Sequence, residues 1–221
     1  YGITVPEGAD KDFSKVIARS RSVASQMSKG IEYLMKKNKI DVITGTGKVL
    51  PGHKVEVVSP DGEKTQYQAN NIIIATGARS RSLPALPQDG SGIIGYREAL
   101  TLEKQPEAMV VVGSGAIGTE LAYFYNAMGT KVTLVEFLPS IVPVEDDDVS
   151  RELERIFRKK GIKVLTGSEV TAAEKFPDGK VKVTVKTPKG TEEIVADVVL
   201  SAVGVQANIE GIGLEETGRK T

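Results

Sequence analysis

The chain has 221 residues, 40% of them hydrophobic, enough to build buried cores for one large domain or two small ones. Its 29 Lys and Arg balance its 29 Asp and Glu, so no overall field draws a polyanion, and nucleic acid is not an expected partner. The absence of Cys excludes a disulfide framework, a thiolate zinc site and a redox dithiol within these residues, and apolar runs such as 72–75 and 109–112 are too short to cross a membrane.

The chain starts at Tyr1, without Met and without a basic region leading into an apolar stretch and a cleavage site. No targeting peptide is read, and an internal piece of a longer, cytoplasmic protein is expected. Phe13, Val16, Ile17, Val23, Met27, Ile31, Leu34 and Met35 fall mostly at spacings of three, four or seven, which predicts one long amphipathic helix. Asp10 or Asp12 caps its start. Residues 41–44 and 54–58 read as short strands, and Ser59-Pro60-Asp61-Gly62 turns toward a partner near 65–68, predicting a small antiparallel meander. The unbroken apolarity of Ile72-Ile73-Ile74-Ala75, ended by Gly77, predicts a strand covered on both faces and central in a sheet. Pro84, Pro87, Gly90 and Gly92 stand among polar residues, so 79–92 reads as an exposed stretch with a domain boundary in it, and 79–106 is expected to connect two compact units.

From Ala108 onward the texture changes. Met109 to Val112 enters a Gly-rich turn, 117–128 has helical periodicity and 131–135 resumes a strand, which together predict a βαβ unit. A second helix is read over 149–160, with Leu153, Ile156 and Phe157 on one face and Gly161 at its C-cap. The acidic run Glu145 to Asp148 suits its positive N-terminal end without any cation, and no metal site is expected. Val181, Val183 and Val185 alternate with polar residues, Lys189-Gly190 turns into a second strand at 191–195, and 198–200 is a further buried strand.

Gly113-Ser114-Gly115-Ala116-Ile117-Gly118 matches the six-residue dinucleotide fingerprint, and it follows a predicted strand and opens a predicted helix. The first Gly allows the tight turn, the second lets a pyrophosphate approach bare backbone, and the third lets helix and strand pack closely. Free amides and the partial positive charge of the helix start then suit an anion. Glu136 ends the next strand, eighteen positions beyond Gly118, where a carboxylate can accept from an adenosine ribose. Phe137-Leu138-Pro139-Ser140 offers no Arg or Lys for a 2′-phosphate, so NAD is favoured over NADP. Spacing alone leaves open whether these glycines hold NAD or FAD, because both present the same ADP half.

The segments 112–122, 132–137 and Ile72 to Ala78 resemble the flavoprotein disulfide reductases, above all the branch that oxidises dihydrolipoyl groups, and the likeness runs nearly end to end. The resemblance implies an α/β fold in which a Rossmann-type NAD-binding domain, here 107–212, is inserted in an FAD-binding domain, of which 1–78 with its meander is a part and to which 213–221 returns. It implies FAD contacts at Gly47, Thr76, Gly77 and Ala78. It implies NAD contacts at Gly113, Ser114, Gly115, Ala116, Ile117, Gly118, Thr119, Glu120 and Glu136, at Val170 near the adenine, and at Gly204. Glu120 is similar to a carboxylate near the nicotinamide and flavin rings. Where the family has Gly-Arg-x-Pro-Asn, this chain reads Gly204-Val205-Gln206-Ala207-Asn208, which leaves the role of that Arg unfilled.

The family's N-terminal FAD fingerprint, its Cys pair and its C-terminal dimer domain with a His-Glu base are not among these residues, so no catalytic residue is assigned here. His53, in a Pro51-Gly52 turn, reads as a solvated loop residue. The implied parent oxidises the dithiol of a lipoyl-bearing carrier protein, from a 2-oxoacid dehydrogenase or glycine cleavage complex, through a Cys disulfide and FAD to NAD, as a homodimer. Two other readings stand beside it: another flavoprotein disulfide reductase or NADH oxidase, and a dinucleotide-binding module without catalysis.

Overall fold

A computed structural model describes residues 10–218; expectations for 1–9 and 219–221 lie outside the described residues. In chain order the elements are α1 (Phe13–Lys37), β1 (Thr46–Leu50), β2 (Lys54–Val58), β3 (Lys64–Gln68), β4 (Ala78–Ser80), β5 (Ile93–Ile94) and α2 (Tyr96–Ala99). They continue with β6 (Ala108–Val112), α3 (Ala116–Ala127), β7 (Lys131–Val135), α4 (Asp147–Lys159), β8 (Lys163–Leu165), β9 (Glu169–Lys175), β10 (Val181–Thr187), β11 (Gly190–Ala196), β12 (Val198–Ser201) and β13 (Val205–Ala207). The chain divides into two compact units, one of residues 80–205 with the start of the chain through Arg21, the other of 22–79 with 206 onward.

The first unit holds a five-stranded sheet in the order β5-β12-β6-β7-β8, parallel throughout. Its strands are short β-branched runs buried on both faces, and side-chain alternation sends them into two cores. Met109 and Val111 of β6 join the helix-side core with Tyr125, Phe157 and Phe13, whereas Val110 and Val112 face a second core built with Val181, Val183 and Val185 of β10. The second core lies under an antiparallel sheet, β11-β10-β9. On the helix side, the Phe124 and Tyr125 rings meet edge-on at 5.1 Å, and the buried Tyr125 hydroxyl donates to the Ala99 carbonyl at 2.5 Å. Asp146 caps α4 by accepting from the Asp148 amide, so the acidic run sits at the helix start as read from the sequence; the C-cap is Lys160 rather than Gly161, which follows it at φ +87.

The second unit contains the antiparallel meander β1-β2-β3, with Gly47 opposite Val57 and Val55 opposite Tyr67. The Ser59 to Gly62 turn closes through Gly62 N–H to the Ser59 carbonyl at 2.9 Å. The returning chain is fastened by Val49 N–H to the Ile212 carbonyl at 2.7 Å and by a Lys48–Glu216 ion pair at 2.6 Å.

Three expectations are corrected. The connection 79–106 is not separate from the compact units: most of 79–92 is exposed or half-buried, but Leu86, Ile93, Ile94 and Ala99 are buried, β5 joins the parallel sheet, and 80 onward belongs to the first unit. Proline and glycine hide this from a composition reading, because Asp89, accepting from the amides of Ser91, Gly92 and Ile93 and from Lys175 Nζ, supplies the order that regular structure would give. Residues 41–44 are not a strand; the meander begins at β1 instead. Nor do 71–76 form a buried central strand, since Ile73 is 91% exposed and no described strand pairs with that stretch. An extended apolar segment becomes a strand only where a neighbour offers a ladder of hydrogen bonds.

Candidate functional site

The glycine turn leaves β6 at the point where the sheet order reverses, with β7 and β8 on one side and β12 and β5 on the other. In open α/β sheets, crevices for ligands form there, beyond the carboxyl ends of the strands. Gly113 sits at φ +95, its N–H donates to the Val135 carbonyl at 2.8 Å, and a Cβ on it would strike the Ala202 carbonyl oxygen. A Cβ on Gly118 would strike the Gly113 carbonyl. These two positions are glycine because protein packs on them.

Gly115 is different. It is the N-cap of α3 with φ −68 and ψ −173, a conformation open to any residue, and a Cβ there would meet no protein atom within 4 Å. The amides of Ala116, Ile117 and Gly118, in the first turn of α3, have no helical acceptor and carry the positive end of the helix dipole. The turn thus offers open space beside amide donors, which fits a pyrophosphate.

Glu136 follows β7 directly and is 7% exposed. Its backbone is held from both sides, the N–H by the Leu165 carbonyl and the C=O by the Ser168 amide, each at 2.8 Å. Its Oε2 accepts from the Ser114 amide at 2.8 Å and the Ser114 hydroxyl at 2.6 Å, and Oε1 accepts from the Leu138 amide at 2.9 Å. The fingerprint and the acid, chosen from sequence spacing, therefore touch. Ser114 is fully buried, and its carbonyl accepts from the Val142 amide at 3.0 Å. Val142 holds φ +40, a left-handed conformation rare for a β-branched residue. Sequence reasoning missed Leu138 and Val142 here, and no side-chain signal could have found them, because both act through backbone N–H groups.

The remaining residues fall into separate groups. Thr119 is buried and its hydroxyl returns to the Gly115 carbonyl at 2.9 Å, while Glu120 is exposed on α3. Gly204 lies just past β12 at φ +109 with open space at its Cβ position, and its carbonyl accepts from the Arg81 amide at 3.0 Å. Val170 lies in the second core with Val112 and Val135. In the other unit, Gly47 lies on β1, where an added Cβ would make one ordinary contact with Val55. There too, Thr76 donates to the Asn208 carbonyl at 2.6 Å, Gly77 at φ +73 accepts from the Asn208 amide at 3.0 Å, and Ala78 opens β4. Arg79 reaches the carbonyl of Ala207, the Asn208 side chain and both oxygens of Glu210. Its guanidinium holds the Glu210 carboxyl down at about 2. His53 is exposed, with Nδ1 3.0 Å from the Asn70 carbonyl.

A parallel sheet with a glycine turn and a paired acid at its switch point defines a dinucleotide-binding class of α/β protein. Residues 4–221 match the profile of the pyridine nucleotide-disulphide oxidoreductases, and the chain belongs to that family. It is 43% identical to a dihydrolipoyl dehydrogenase of Rhizobium etli over 100% of its own length and 49% of the relative's. It is 40% identical to the dihydrolipoyl dehydrogenase of Zymomonas mobilis over 47% of that protein. The crystal structure of LpdA from Mycobacterium tuberculosis superposes with a TM-score of 0.86 at 28% identity, covering 96% of this chain and 47% of that one. The chain thus spans about half the length of the relatives it matches.

Proposed function

We propose that this chain is the NAD- and FAD-binding central part of a dihydrolipoyl dehydrogenase. The observation that carries the reading is Gly115, a glycine that no protein atom requires, placed where helix amides meet a carboxylate fixed for a ribose. Gly113 to Thr119 line the pyrophosphate path, Glu136 receives the adenosine ribose, and Gly204 and Glu120 border the same crevice toward the nicotinamide. Val170 contributes an apolar wall near the adenine. Backbone at Gly47 and at Thr76, Gly77 and Ala78 serves FAD; the support there is the family membership and the absence of a close packing demand at Gly47.

When bound, FAD and NAD supply the hydride chemistry, and the residues named here place and orient them. In the whole protein a dihydrolipoyl dithiol on a carrier protein of a 2-oxoacid dehydrogenase or glycine cleavage complex loses two electrons and two protons, and NAD gains a hydride, the second proton leaving to solvent. The enzyme works as a homodimer. The 221 residues hold no Cys, so dithiol exchange belongs to other parts of that protein.

Calorimetric titration tests the reading: the chain binds NADH, binds NADPH at least tenfold more weakly, and produces no NADH from dihydrolipoamide and NAD. Glu136→Ala weakens NADH binding roughly tenfold or more, the loss expected for a hydrogen bond to a charged group. Absence of NADH binding by the unmodified chain overturns the assignment.

A further inference from the structure

Glu136 is a charged side chain at 7% exposure, and three protein donors already address it. A carboxylate offers about four acceptor directions, two on each oxygen. The Ser114 amide and hydroxyl take both directions of Oε2, and the Leu138 amide takes one of Oε1. One direction on Oε1 is left. Ser114 in turn is held through its carbonyl by the amide of Val142, which keeps a left-handed backbone while its side chain packs in the helix-side core. All three polar groups of Ser114 are therefore engaged, and they join the fingerprint turn, the acid and the loop that follows β7.

We propose that Ser114 is the positioning residue of the ribose site: its hydroxyl and amide pin Oε2 so that Oε1 alone faces the ligand, pre-aligned before the coenzyme arrives. This rests on the dinucleotide reading above and adds to it a side-chain role for a residue whose part in the fingerprint is otherwise only its backbone. Two backbone donors cannot let go without moving the chain, so the hydroxyl is the one adjustable member of the set. Removing it leaves each oxygen with a single amide donor, Ser114 N–H on Oε2 and Leu138 N–H on Oε1, so the soft terminal torsion of the carboxylate is held less tightly and Oε2 gains an open acceptor direction. The ligand must then supply the ordering that Ser114 provides in the unmodified protein.

The experiment is a cycle in which both the protein and the ligand are changed. Ser114→Ala is titrated with NADH and with an NADH analogue whose adenosine ribose lacks the 2′ and 3′ hydroxyls, and thermal melting of the ligand-free variant is recorded alongside. Ser114→Gly, which keeps the amide donor and removes the whole side chain, repeats the measurement if the alanine variant folds poorly. The expected result is NADH binding weakened about three- to tenfold, with the analogue binding unchanged within twofold, a selectivity that a general loosening of the fold would not produce. Equal weakening for both ligands, or no weakening for either in a protein that still binds NADH, overturns the role of Ser114 and leaves the dinucleotide site standing. Failure of the unmodified protein to bind NADH removes both.

Discussion

Gly115 and Gly118 stand three positions apart and are glycine for opposite reasons. At Gly118 a methyl group would run into the Gly113 carbonyl, so backbone must shift to admit it. At Gly115 the same methyl group meets only open space, and the backbone is in a region any residue adopts. Stability and binding should therefore separate. Gly118→Ala is expected to cost about 1–3 kcal/mol of stability by overpacking. Gly115→Ala is expected to leave stability within about 0.5 kcal/mol, since nothing in the protein touches the new group. Yet Gly115→Ala should weaken NADH binding by tenfold or more, because the methyl group fills the space through which a pyrophosphate reaches the amides. Urea unfolding and calorimetric titration of the two variants give the comparison. A Gly115→Ala protein that binds NADH normally would show that the open space serves no phosphate.

At the scale of elements, the segment 89–93 shows how a short strand can be fixed by one side chain. Partial burial pushes the Asp89 carboxyl up, but the Lys175 ammonium and the amides of Ser91, Ile93 and Gly92 outweigh it and hold it well below the usual carboxylate range. A carboxyl lowered by folding stabilises the protein above its unfolded pKa of about 4 and loses that contribution as pH falls through the folded value. Asp89→Asn is thus expected to cost about 1 kcal/mol at pH 7, discounted for the partial exposure of the pair, with the gap to the parent narrowing below about pH 4. Urea midpoints at pH 7 and pH 3 check both halves, and a gap that widens in acid would contradict this account. The same segment shows why some elements escape a reading of the sequence. The regular elements of the βαβ unit were legible because the continuous apolar run 109–112, the glycine turn after it and the helical period of 117–128 together leave little choice of structure. β5 has two residues, and β9, Glu-Val-Thr-Ala-Ala-Glu-Lys, carries little β-branched content; both exist because neighbouring strands hold them in place. The site divides in the same way. Glycines and an acid are specified by residue type and spacing, whereas the donors from Leu138 and Val142 are backbone amides that almost any residue would provide.

Across the whole molecule, the buried apolar side chains are unevenly shared. Nearly all of them, from Phe13 through Leu200, belong to the first unit, and among the described residues of the second the one buried apolar side chain is that of Leu214. The second unit instead exposes Met27, Ile31 and Leu34 along one face of α1, and Val42, Ile43, Ile73 and Ile74 outside any described strand. Burial of apolar surface is the main favourable term in folding, and local opening is easiest where it is scarce. The chain should therefore unfold in two steps rather than one. Hydrogen exchange is expected to show the amides of β6, β7 and β12 protected to the level of the upper transition, while those of β1, β2 and β3 exchange through the lower one. The residues proposed for NADH, 113–120, Glu136, Val170 and Gly204, all belong to the first unit, and a ligand stabilises only the state that binds it. NADH at one hundred times its dissociation constant should raise the upper transition by about 2.7 kcal/mol and leave the lower one unmoved. A single cooperative transition, shifted as a whole by NADH, would mean that the meander and the parallel sheet share their stability despite the lopsided burial. An NADH effect confined to the lower transition would put the coenzyme on the wrong unit.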